Sequence, residues 1–255
     1  MKRVLTALAL IPLVVYIVIL GSPWLVLGVV ALVASICFRE YCGMAAQYGF
    51  GTMGPLGYAA GLLILTVQDN VLVWVTVLAL LGLALSLRSD DLRTMLPRAA
   101  LLLFGVVYIF GCWKFAIALR ACEAHWLLYV LALTWVGDIA AYYAGSRFGR
   151  HKLAPGISPG KSWEGSLTSL AAAVVFGYFY LRRFLPAVPT IEAVGLSIAA
   201  NIAGQAGDLC ESAIKRGAEV KDSSTLLPGH GGLLDRVDST LFALPLVYLY
   251  TTLRF

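Results

Sequence analysis

A chain of 255 residues that is 60% hydrophobic and only 13% charged lacks the polar surface of a soluble domain, where about a quarter of residues carry charge, and is too apolar to be disordered. Its 25 glycines follow no Gly-x-y period, which removes collagen, and runs such as 4–20 and 71–87 do not alternate, which removes a transmembrane barrel. A net charge of +5 with a mean hydropathy of +0.85 leaves a helical membrane protein whose basic loops face anionic headgroups.

The first apolar segment, about 4–20, follows Lys2 and Arg3. It has the outline of a signal peptide, but no small-x-small site introduces a soluble domain, so it reads as an uncleaved first span. Further segments lie at about 24–38, 53–67, 71–87 and 100–119, the last containing Lys114; Gly21-Ser22-Pro23 and the stretch from Gly49 to Pro55 punctuate them. The segment at about 126–144 carries Asp138 near its middle. A carboxylate there is costly and a functional candidate by default, against the plainer reading of a hydrogen bond to a neighbouring helix. Segments at about 166–185, 193–207 and 239–253 follow, with Pro186 and Pro189 between the first two. The expected fold is therefore all-α and polytopic, with about nine transmembrane or membrane-embedded helices. The 5 cysteines show no Cys-x-x-Cys spacing and predict neither disulfides nor zinc, and His125 and His151 read as interfacial residues.

With the N-terminus in the cytoplasm, most of the 19 basic residues fall on the cytoplasmic side, and Arg120, Arg182, Arg183 and Arg254 fall on the far side. Loops 145–165 and 208–238 then share the cytoplasmic side. These two loops hold the polar chemistry. In the second, Asp208, Glu211, Ser212 and Lys215 follow i, i+3, i+4, i+7, so a helix presents them on one face. Asp235, Asp238 and Ser239 repeat the arrangement after a glycine-rich stretch, Leu226 to Gly232, whose backbone N–H groups can approach a ligand closely. Acids suited to Mg²⁺ mix with bases suited to phosphate, the pairing that phosphoryl and nucleotidyl transfer require. The plainer reading is a solvated loop or an intracellular salt-bridge cluster. The first loop holds Ser158-Pro159-Gly160-Lys161-Ser162-Trp163-Glu164-Gly165. Its Gly-Lys-Ser is not a Walker A loop, because Pro155 stands where the upstream glycine belongs and no strand is expected before it. Trp163 suits either a base stack or the interfacial aromatic belt.

Ser212-Ala213-Ile214-Lys215-Arg216, Lys221-Asp222 and the run from Leu227 through His230-Gly231-Gly232 to Asp235-Arg236-Val237-Asp238 together resemble the signature of the phosphatidate cytidylyltransferases, the CDP-diacylglycerol synthases. Residues 207–212, 158–165 and 134–149 add to the resemblance, which covers roughly the C-terminal half. One departure is Gly160, where the family commonly has the first of two lysines, with Ser162 in place of threonine; no role of that lysine carries over. The resemblance implies that phosphatidate and CTP react to CDP-diacylglycerol and pyrophosphate, with Mg²⁺, one ion or two, as cofactor. It implies N-terminal membrane helices over 1–120 and a catalytic membrane region over 121–255 as one integrated unit, a homodimer, and a place in the bacterial inner membrane with the site facing the cytoplasm.

Within the region that the resemblance selects, Asp208, Asp235 and Asp238 are the expected Mg²⁺ ligands, followed by Asp222. Lys215, Arg216, Lys221 and Arg236 are expected phosphate clamps, and His230 with Gly231 and Gly232 shapes the nucleotide pocket. Ser158, Lys161, Trp163 and Glu164 close the site from the other loop, with Ser212 and Asp138 as further candidates. Lys161 is assigned to the lipid phosphate and Lys215-Arg216 to the triphosphate. The rival of another class is a transporter or channel with Asp138, Lys114 and the acidic loop along its path, but no inverted repeat is visible. A CDP-alcohol phosphotransferase would need an Asp-Gly-x₂-Ala-Arg stretch, and none exists.

Overall fold

The computed structural model describes residues 2–51, 54–87, 91–226 and 231–255, with side chains from Ile11 onward. Among the described residues the regular structure is helical except for one two-stranded hairpin. The helices are α1 (Lys2–Leu20), α2 (Pro23–Gln47), α3 (Gly54–Thr66), α4 (Val71–Ser86), α5 (Met95–Gly105), α6 (Cys112–Cys122), α7 (Ala124–Phe148), α8 (Trp163–Phe184), α9 (Thr190–Gly217) and α10 (Leu234–Arg254). A π-helical turn, Val106–Gly111, joins α5 to α6, so that segment is one run from Leu92 to Cys122.

Among the described residues, four helical runs are long and apolar enough to cross a membrane: Pro23–Gln47, Leu92–Cys122, Ala124–Phe148 and Trp163–Phe184. Ile11–Leu20, Gly54–Thr66 and Val71–Ser86 are apolar but shorter. Every segment expected from hydropathy is a helix, yet α9 and α10 do not meet that criterion, because polar residues run along α9 and through the start of α10. The expected loop 208–238 is corrected accordingly. Its first third continues α9 to Gly217, and its end begins α10. The loop 145–165 is corrected too. Lys152–Ala154 and Ser158–Ser162 pair antiparallel as β1 and β2, and α8 starts at once after them.

Contacts divide the chain into two compact units. One comprises Met1–Pro23, Ala118–Ala213 and Val237–Phe255; the other comprises Trp24–Ile117 and Ile214–Arg236. Most of the signature, 214–236, thus folds with Trp24–Ile117, while Ser212, Ala213, Val237 and Asp238 at its ends belong to the other unit. In the first unit α7 lies along α8, and small residues allow the approach: a Cβ on Gly165 would stand 2.9 Å from the Ala141 carbonyl oxygen. A buried polar ladder ties α8 to α9. Asn201 donates to Ser169 at 3.0 Å, Gln205 donates to Asn201 at 2.6 Å, and Ser166 donates to Gln205. Thr134 and Thr240 meet at 3.2 Å, joining α7 to α10.

In the second unit an aromatic core sits on glycines. Phe38 packs edge-on to Tyr58 with ring centroids 5.1 Å apart and lies 5.4 Å from Phe110. Gly57 and Gly61 face Phe38 and Phe110 so closely that a Cβ would overlap the rings. Lys114, inside the membrane run, donates to the carbonyls of Ile64 at 2.9 Å and of Val67, closing the C-terminus of α3. In the first unit Arg120 does the same for α1, reaching the carbonyls of Ile19 and Gly21 at 3.3 Å each. These are the last-turn carbonyls a helix leaves unpaired, and cations suit them.

Candidate functional site

Two polar clusters hold most of the expected site residues, one in each unit. The first is built on α9, where Asp208 and Glu211 lie one turn apart. Lys161, from β2, reaches Asp208 with Nζ 2.7 Å from Oδ2. Ser212 donates to the other Asp208 oxygen at 3.5 Å. Glu211 is fully buried and Asp238, on the first turns of α10 ahead of its apolar run, is 6% exposed. Burial, then the charges of Asp208 and Glu211 and more weakly Asp138, push the Asp238 carboxyl well above the ordinary aspartate range; the Ser239 N–H, donated at 2.7 Å, opposes this. α10 comes close because residue 207 is glycine: a Cβ there would lie 2.7 Å from the Asp238 carbonyl oxygen.

The hairpin and the start of α8 set Lys161. Ser162 is the N-cap of α8, accepting the Gly165 N–H at 3.2 Å. Glu164 in the first helical turn accepts from His151 Nδ1 at 2.7 Å and from its backbone N–H. Glu164 is thus occupied with holding the hairpin. Ser158 pairs within the hairpin and Trp163 is exposed.

The second cluster centres on Asp235. Lys215, two turns beyond Asp208 on α9, puts its ammonium 2.5 Å from Asp235 Oδ1. Oδ2 accepts the Gly232 N–H at 2.7 Å and both the N–H and the hydroxyl of Ser223 at 3.0 Å. Burial raises this carboxyl, but the Lys215 ammonium and the two N–H groups prevail and hold it below the usual aspartate value. Gly231 has φ of +77°, a conformation glycine adopts without strain, and its Cβ position is 2.6 Å from Asp235 Oδ2. Asp222 lies beside it.

One participant went unforeseen. Glu40, near the end of α2, is 3% exposed and accepts four hydrogen bonds: from the hydroxyls of Ser223 (3.1 Å) and Ser224 (2.6 Å), and from the N–H groups of Leu233 (3.0 Å) and Leu234 (2.7 Å). The hydropathy segment ends at about residue 38, so Glu40 reads as the edge of a loop. A carboxylate inside a 25-residue apolar helix was the available signal.

The remaining expected residues are placed differently. Arg216, Lys221 and Arg236 are exposed, and Arg216 donates to the Val220 carbonyl at 3.4 Å, ending α9. His230 lies outside the described residues, as do Leu227, Pro228 and Gly229. Among the described residues no three His, Cys, Asp or Glu side chains gather closely enough to hold a metal ion. The donor set nevertheless fits Mg²⁺ in kind: hard carboxylate oxygens, with Asp208, Glu211 and Asp138 opposing charge on Asp238, a repulsion a divalent cation relieves. Asp235 would exchange Lys215 for such an ion.

The model of the Cytidylyltransferase family matches residues 1–254. A phosphatidate cytidylyltransferase of Staphylococcus aureus (strain COL) is 34% identical over 256 residues, covering 96% of this chain and 97% of its own. Relatives of the same name in Bacillus subtilis (strain 168) and Haemophilus influenzae are 39% identical over 153 residues, 58% of this chain and 56% of theirs, and 46% identical over 123 residues, 47% of this chain and 43% of theirs. A match that takes in Glu40, both lysine–carboxylate pairs and all ten helices places the chain in the cytidylyltransferase family.

Proposed function

We propose that this membrane enzyme transfers CMP from CTP to phosphatidate, giving CDP-diacylglycerol and pyrophosphate. The observation that carries the reading is the near full-length likeness to a relative named for that reaction. The chemistry of the clusters supports it. The phosphatidate phosphate is already an anionic nucleophile, so no strong general base is needed. One of its oxygens bonds to the α-phosphorus of CTP, and the bond from that phosphorus to the bridging oxygen breaks. Pyrophosphate leaves with the electron pair.

The protein must therefore hold two anionic reactants and neutralise charge as it moves. Lys161 holds the lipid phosphate and Lys215 the triphosphate, each ammonium exchanging its carboxylate for phosphate oxygens. Arg216, Lys221 and Arg236 are available to the outer phosphates, and His230 with its glycines to the nucleotide. Asp208 and Asp238 in the one cluster, and Asp235 in the other, would hold Mg²⁺, which when bound polarises phosphorus and stabilises the leaving pyrophosphate. The polar clusters face the cytoplasm, where CTP is, in a bacterial inner membrane crossed by about nine helices, and the enzyme acts as a homodimer.

The test uses purified protein in mixed micelles with phosphatidate. Label in the α-phosphate of CTP should enter chloroform-soluble lipid as an equal amount of pyrophosphate appears, whereas γ-label should stay in water. Lipid that stays unlabelled would reject the reading.

A further inference from the structure

Resting on that reading, we infer that Glu40 is a positioning residue for nucleotide transfer: from α2 it staples Ser223 and Ser224 to Leu233 and Leu234 and thereby sets the Asp235–Lys215 pair. A buried carboxylate is costly unless its lone pairs are used. Here each oxygen takes one hydroxyl and one backbone N–H: Oε2 those of Ser223 and Leu234, Oε1 those of Ser224 and Leu233. The serines precede the glycine-rich stretch in sequence and the leucines follow it, so one side chain ties residues 223–224 to residues 233–234. The Leu233 and Leu234 N–H groups belong to the start of α10, where no intrahelical partner exists and the helix dipole favours an anion. The Gly232 N–H goes to Asp235. Three successive backbone donors are thus taken by two carboxylates.

The geometry couples the two acids. Ser223 Oγ lies 3.1 Å from Glu40 and 3.0 Å from Asp235, so a single hydroxyl bridges them. A Cβ on Gly232 would lie 2.0 Å from that hydroxyl and 2.7 Å from the Glu40 carboxyl carbon, so Gly232 is drawn against Glu40 with no room for a side chain. Asp235 follows the stapled leucines directly. Where Glu40 holds them decides where Asp235 presents Oδ1 to Lys215. Glu40 itself acts through these groups and needs no contact with substrate.

Glu40→Gln keeps the size but offers an amide NH₂ where one oxygen accepted, setting donor against donor. In the full-length protein in mixed micelles it should lower kcat by roughly 10- to 100-fold, the scale of a 1 Å misplacement. It should also raise the KM for CTP and leave that for phosphatidate unchanged, since Lys215 is the group displaced. Glu40→Asp, which keeps the charge, should regain part of the CTP affinity. Ser224→Ala, removing one of the four bonds at little cost in volume, should shift the same parameters less. By hydrogen exchange the Leu233 and Leu234 amides should open faster in Glu40→Gln than in the parent. A fall in kcat with both KM values unchanged is what a smaller folded fraction gives, and it would overturn the inference, as would parental exchange at the two amides. Parent protein that labels no lipid would fail the cytidylyltransferase reading instead, and the exchange result would still decide the staple.

Discussion

At the scale of single residues, the two lysine–carboxylate pairs make separable predictions. Lys161→Ala should mainly raise the KM for phosphatidate and Lys215→Ala that for CTP, each by roughly 10- to 150-fold, the worth of one charge-assisted contact of about 1.5–3 kcal/mol. A two-substrate kinetic matrix reads both, and equal effects on the two substrates would reject the partition. Asp208→Asn should abolish transfer while the protein extracts and unfolds normally. Acid sensitivity gives a further test. The Asp235 carboxyl is held below its unfolded value by Lys215 and the N–H groups around it. The stabilisation this supplies is present above the ordinary aspartate range and is lost as pH falls through the lowered value. Lys215→Ala moves that value up, so the acid unfolding transition followed by circular dichroism should begin at higher pH. Asp208, Lys215, Asp235 and the paired glycines were legible in the sequence because helical spacing and a glycine run mark them. Glu40 was not, since its partners are more than 180 residues away and hydrogen bonding at that separation leaves no local pattern.

Among elements, apolar runs revealed where helices lie and missed where they stop. The polar half of α9 offers few hydrophobic residues, yet its ladder through Asn201 and Gln205 is paid for by the Ser166 and Ser169 side chains of α8. A helix that buries polar groups against another helix looks like a loop to hydropathy. Asn201→Ala strands Ser169 and Gln205 and should cost about 1–3 kcal/mol, read as a lowered Tm in detergent. The hairpin was also invisible, because Pro155, Gly156, Pro159 and Gly160 weigh against strands and β2 is only five residues long. At the start of α10, Gly232→Ala should be far more damaging than Gly160→Ala. The first meets Ser223 and Glu40, and the second meets nothing within 4 Å. Activity in membranes expressing each variant at equal level would show it.

For the whole molecule, orientation is the prediction to test. Cysteines placed at the exposed positions Gly156 and Thr225, in a background lacking the native ones, should both resist an impermeant thiol reagent in intact cells and both label after lysis. Opposite behaviour of the two would break the assignment of both polar loops to the cytoplasm. The charge count behind that assignment has apparent dissenters in Arg120, Arg182, Arg183 and Arg254, and the structure shows how three of them are employed. Arg120 is spent on the last carbonyls of α1. Arg254 is neutralised by Glu192 at 3.2 Å, and Arg182 donates to Thr190. An arginine committed to a helix end or to an acid is a poor messenger to the insertion machinery once that partner has formed. On the proposed orientation, the imbalance that would retain the remaining basic loops is therefore steeper than a census of letters suggests.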